Sequence, residues 1–142
     1  MNRKLPLFDL KNAVYAYMNS EDISLSELSR RKGMSYSTLS NFLRCTNLDN
    51  LHIDTIFKVL KAIDKTAVEY DPGLEDLGFA LIRIHTEMVQ GKSYNEIGWY
   101  ADMTGAELAR LICKYKKTKK VSVTYGTAKK LLKILDILEG VE

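Results

Sequence analysis

The sequence predicts an all-α chain built as two tandem helix-turn-helix units, each of about four to five helices. Three observations predict it. Apolar residues recur at three- and four-residue steps, the period of a helix, rather than alternating. A glycine-bearing break divides two short helical stretches within residues 24–44. The same order of small, apolar and capping residues returns 69 positions later. Two prolines and eight glycines in 142 residues leave few interruptions, and a hydrophobic content of 46% is ample for a core.

The first unit spans residues 1–70. Arg3 and Lys4, ahead of Pro6, read as a basic arm or a frayed terminus. Over residues 7–19, Leu10, Ala13, Val14 and Tyr17 fall on one helical face, and Ser20-Glu21-Asp22 breaks it. Ser24 is placed to cap the next helix, with Glu27 as its capping-box partner. Gly33 stops that helix, since glycine enters the left-handed region at little cost. Ser35 caps a second helix, on which Leu39, Phe42 and Leu43 share the buried face. Ser29 is small enough for the two helices to approach closely. A polar loop over residues 45–50 follows. Residues 52–64 then read as helix, with Asp54 as cap and Ile56, Val59, Leu60 and Ile63 inward. Residues 65–73 read as a linker ending at Asp71-Pro72-Gly73.

The second unit spans residues 71–142, with its own first helix over residues 77–90. At a shift of 69, Ser24 meets Ser93, Glu27 meets Glu96, Leu28 meets Ile97 and Ser29 meets Gly98. Met34 meets Met103, Ser35 meets Thr104, Leu39 meets Leu108, and Phe42-Leu43 meets Leu111-Ile112. The following loop is three residues longer, and a shift of 72 then pairs Thr55 with Thr127, Lys58 with Lys130 and Lys61 with Lys133. The turn position of Gly33 is held by Asp102, which tolerates the left-handed region better than most residues. Units of about 60 to 70 residues are near the lower limit for independent stability, so the two are expected to pack together.

The stretch at residues 24–44 resembles the lambda-repressor-like (Cro/repressor-type) helix-turn-helix family. The residues that carry the resemblance are Ser29, Gly33, Met34 and the apolar positions Leu28, Leu39, Phe42 and Leu43. Residues 93–113 look like a diverged second copy. The chain departs from the family at Leu25, where a glutamine is frequent. The resemblance implies a double-stranded DNA partner, with the second motif helix entering the major groove. In the first copy that helix runs over residues 35–44. Tyr36, Ser37 and Asn41 then sit at base-contacting positions and Arg44 at a phosphate-contacting one; Ser35 and Ser40 complete the set. Asn pairs with adenine through two hydrogen bonds, and a tyrosine ring touches a thymine methyl. In the second copy the helix is expected over residues 104–114, with Thr104, Gly105, Ala106, Glu107, Arg110 and Lys114 outward. Arg110 is the best base reader there, through guanine.

A lysine run at residues 114–120 carries Lys114, Lys116, Lys117, Lys119 and Lys120 with no acid among them. It is expected in the longer loop after the second recognition helix, supplying salt-dependent phosphate affinity. A solvated loop is the alternative. Tyr94, Trp99 and Tyr100 are expected to fill the core or the contact between copies. The net charge of +3 is compatible with nucleic acid without demanding it.

No catalytic residues, metal site, cofactor or small-molecule ligand are expected. Cys45, Cys113, His52 and His85 show no metal-ligand spacing, and no nucleophile stands beside a plausible base. No apolar run reaches about 18 residues, and no secretion signal precedes Asp9, so a cytoplasmic location is expected. The sequence therefore reads as a sequence-specific DNA-binding transcriptional regulator, a repressor, with homodimerisation left open. The alternative is a protein-interaction module such as an antitoxin or anti-regulator.

Overall fold

The computed structural model describes residues 7–65 and 76–140. The expected basic arm and most of the expected linker lie outside the described residues. Among those described, the chain forms eight α-helices, a short 3₁₀ turn and no strand. They are α1 (Leu7–Glu21), α2 (Leu25–Lys32), α3 (Tyr36–Arg44), the turn Leu48–Asn50, α4 (Ile53–Ala62), α5 (Leu77–Val89), α6 (Tyr94–Trp99), α7 (Gly105–Thr118) and α8 (Tyr125–Leu138).

Ser24 and Ser93 cap α2 and α6 in the same way. Each hydroxyl accepts from the backbone N–H three residues on, Glu27 at 3.2 Å and Glu96 at 3.1 Å. The expected box at Ser24 is only half formed, because the Glu27 carboxylate turns to Arg31 at 3.7 Å. Thr104 carries the complete box with Glu107. Ser35 makes no side-chain cap, since its hydroxyl is engaged by that of Ser37 at 2.8 Å.

Both interhelical turns pass through the left-handed region, at Gly33 (φ 65) and Asp102 (φ 55). The Met34 N–H donates to the Ser29 carbonyl at 3.0 Å, and the Met103 N–H to the Gly98 carbonyl at 2.9 Å. The small residues at these two positions have different causes. The Ser29 hydroxyl donates to the Met34 carbonyl, and a Cβ added at Gly98 would run into the Met103 carbonyl.

Two expected boundaries move. His52, not Asp54, caps α4, its Nδ1 accepting from the Asp54 N–H at 3.4 Å. Helix α7 does not stop near Lys114 but continues to Thr118 and ends on Lys119 in the left-handed conformation (φ 59). Nothing between Leu108 and Thr118 is a helix breaker, and lysines in a last turn are favoured by the helix dipole. The lysine run is therefore largely helical, not a loop.

A single buried cluster joins the chain. It takes Leu10, Val14, Leu28, Leu39 and Phe42 from α1 to α3, Ile53, Ile56 and Leu60 from α4, and Leu81, Ile97, Leu108, Ile112, Tyr125 and Leu131 from α5 to α8. The segments entering α4 and α8 pair as an isolated antiparallel bridge, His52 with Thr124. The Ile53 N–H donates to the Val123 carbonyl at 2.9 Å, and the Tyr125 N–H to the Leu51 carbonyl at 2.7 Å. Beside the bridge, Lys129 pairs with Asp49 at 2.7 Å, and Gly126 lets the start of α8 lie against the Leu48–Asn50 turn.

Candidate nucleic-acid interface

Helix α3 buries Leu39 and Phe42 and partly buries Leu43, which fixes its orientation. Its opposite side carries exposed Ser35, Tyr36, Ser37, Asn41 and Arg44, with Ser40 half-buried at the margin. Tyr36 is 51% exposed despite its size. Among the described residues the side chains of Tyr36, Asn41 and Arg44 are engaged by no hydrogen bond or ion pair. Such a face holds donors and acceptors available to a partner.

Helix α7 differs. Leu108 and Ile112 anchor it, and Ala106, Arg110 and Lys114 are exposed on the outer side. Lys117 continues that row by helical spacing. Gly105, expected to lie outward, is buried. Its N–H donates to the Asn95 carboxamide at 2.9 Å, and a Cβ there would collide with Asn95. Glu107 is half-buried, and its carboxylate is held at Thr104 by the capping box.

The five lysines do not act as one patch. Lys114 and Lys117 extend the Arg110 face, whereas Lys116 turns to α5 and meets His85 Nε2 at 3.1 Å. The other ring nitrogen of His85, Nδ1, faces the Tyr94 hydroxyl at 3.1 Å. Burial raises the Tyr94 pKa above that of a free tyrosine. Lys119 forms the C-cap, and Lys120 is exposed.

Two groups of residues were not singled out by the sequence. Arg110 and Lys114 share a cleft of about 330 Å³ with His52, Ser122, Thr124 and Thr127, which belong to the central bridge and its flanks. Ser122 there bonds His52 Nε2 at 3.1 Å. A second cleft, of about 480 Å³, lies between the α2–α3 turn and α4. It is bordered by Lys32, Thr38, Lys58, Lys61 and Asp64. Lys32 and Asp64 pair at 3.0 Å, and the Tyr17 hydroxyl also donates to Asp64. Lys32 first, then Tyr17, holds the Asp64 carboxyl below its ordinary range, and Asp64 raises the Lys32 pKa. Lys58 and Lys61 have no ion pair among the described residues. The repeated lysine spacing in α4 and α8 was the available signal.

Trp99 corrects another expectation. Tyr94 and Tyr100 pack against the core, but Trp99 is 79% exposed. Cys45 and Cys113 are free thiols, and the described residues hold no group of three or more His, Cys, Asp or Glu able to take a metal. No helix among them is long and apolar enough to cross a membrane. Compared with protein-family models, with curated proteins and with solved structures, the chain matches none.

Proposed function

We propose that the chain is a sequence-specific double-stranded DNA-binding regulator, a repressor, made of two helix-turn-helix units. One observation carries the reading. Helices α3 and α7 each follow a left-handed turn braced by the same five-residue backbone bond, and each turns a polar face to solvent. A helix so placed suits the major groove. Tyr36, Ser37, Ser40 and Asn41 of α3 form the reading surface. Helix α7 contributes Arg110 for guanine, and Lys114 and Lys117 for phosphates. Two linked units raise each other's effective concentration on one duplex. Repression follows from occupying a promoter.

The test is selection of bound duplexes from a random pool, followed by footprinting of the winner. A footprint of about two helical turns is expected, and one turn means a single working unit. Replacing Asn41 and Arg44 with alanine should cost about 1–3 kcal/mol per lost contact on the selected site, with the far-ultraviolet dichroism unchanged. Equal affinity would remove α3 from the interface. A protein-interaction role has one observation in its favour. Phe79, Ile82 and Val89 lie along one side of α5 and are 52%, 52% and 69% exposed. A folded chain without salt-sensitive duplex binding would favour that reading.

A further inference from the structure

The cleft beside the α2–α3 turn carries more positive charge than its own surroundings neutralise. Lys32, Lys58 and Lys61 border it with a single carboxylate, Asp64. That carboxylate is already committed, to Lys32 at 3.0 Å and to the Tyr17 hydroxyl at 3.0 Å. Asp54 lies one turn before Lys58 on α4, but it is turned to His52 at 3.5 Å and to Ser122 at 3.3 Å. Lys58 and Lys61 are therefore left without an acid among the described residues. Both are exposed and stand three residues apart on one helix, so their side chains are neighbours of like charge.

The shape and lining suit a small anion. A volume of about 480 Å³ lies within the ~300–1,000 Å³ of small-molecule sites. Met34 and Ala62 supply apolar wall, and the Thr38 hydroxyl is bonded to nothing else among the described residues. Ser35 also borders the cleft and does not cap α3, so the open first turn of that helix adds donors beside the lysines. The ammonium groups outnumber the carboxylate by two, which matches a dianion. Lysine binds phosphate as a point charge, and no arginine fork, the better partner of a flat carboxylate, is among the lining residues described.

The second half keeps the lysine spacing but not this charge. Lys130 and Lys133 match Lys58 and Lys61 at a shift of 72. At the shift of 69, Lys32 is matched by Ala101, Gly33 by Asp102 and Thr38 by Glu107. Two acids stand where the first half has none. We infer that the cleft binds a small phosphate-bearing molecule, its phosphate held between Lys58, Lys61 and the start of α3. Such binding goes beyond the duplex reading and does not require it.

Pyrophosphate is the probe, titrated calorimetrically into the full chain at constant ionic strength. One equivalent is expected to bind with a Kd below about 1 mM, and the amide signals of Gly33 and Ala62 should shift as it does. Lys58→Gln with Lys61→Gln should weaken binding at least about tenfold. Lys130→Gln with Lys133→Gln removes the same charge from exposed positions of α8 and should leave the affinity unchanged. Thr38→Glu, which gives the cleft the acid of the matching position, should abolish binding. A parent that does not saturate, equal weakening by both lysine pairs, or affinity unmoved in either cleft variant overturns the inference. A duplex titration separates free phosphate from backbone phosphate. If the α4 variant loses duplex affinity while the parent binds no pyrophosphate, the cleft serves a nucleic-acid backbone and the inference fails. If pyrophosphate binds as expected and no duplex does, the inference stands and the DNA-binding reading fails.

Discussion

Gly98 shows how much one missing methyl group does. The Met103 carbonyl occupies the space a side chain would need, so Gly98→Ala should lose about 1–3 kcal/mol by overpacking, read from denaturant unfolding. The Lys32–Asp64–Tyr17 group makes a different kind of prediction. Asp64 has a depressed pKa in the folded chain, chiefly through Lys32. Its contribution to stability is therefore present above the ordinary aspartate value of about 3.9 and is lost as pH falls through the lower folded value. The deficit of Asp64→Asn relative to the parent should be visible at neutral pH and close toward pH ~3 in thermal melts. An equal deficit at both ends would remove the charge from the account. At this scale the sequence was readable where backbone conformation selects the residue. Gly33 and Asp102 both lie in the left-handed turns expected of them. Gly105 was not readable. What buries it is the Asn95 side chain ten residues earlier, a contact that leaves no mark in local spacing.

Helix α3 follows its apolar spacing closely, whereas α7 outruns its expected end. A run of lysines resembles a solvated loop in composition, yet nothing in it stops a helix. Only the left-handed Lys119, which no sequence rule selects, marks the end. The consequence is a division among the lysines. Lys114→Gln with Lys117→Gln should flatten the salt dependence of duplex binding by about one to two units of slope, since each neutralised phosphate contributes about 0.9. Lys116→Gln should leave the slope near the parent's, because that ammonium is turned to His85. Equal effects from both changes would show that the helix face does not sort them. Titration of binding against salt, on one duplex, makes the comparison.

Across the whole molecule, one apolar cluster runs from α1 to α8. Phe42 is fully buried in the first half, and Phe42→Ala should cost about 3–5 kcal/mol. Because the core is continuous, hydrogen exchange should quicken in α8 as well as in α3. Quickening confined to α1–α4 would mean that the halves unfold separately. One buried cluster runs through both halves of the chain. The place of their meeting was not readable in the sequence, since peptide groups carry no residue identity. That same anonymity has a bearing on descent. A seam whose bonds run between main-chain atoms makes no direct demand on the outward residues of α3 or α7. Mutation is thus at liberty to rewrite one half's recognition surface without unpicking its union with the other.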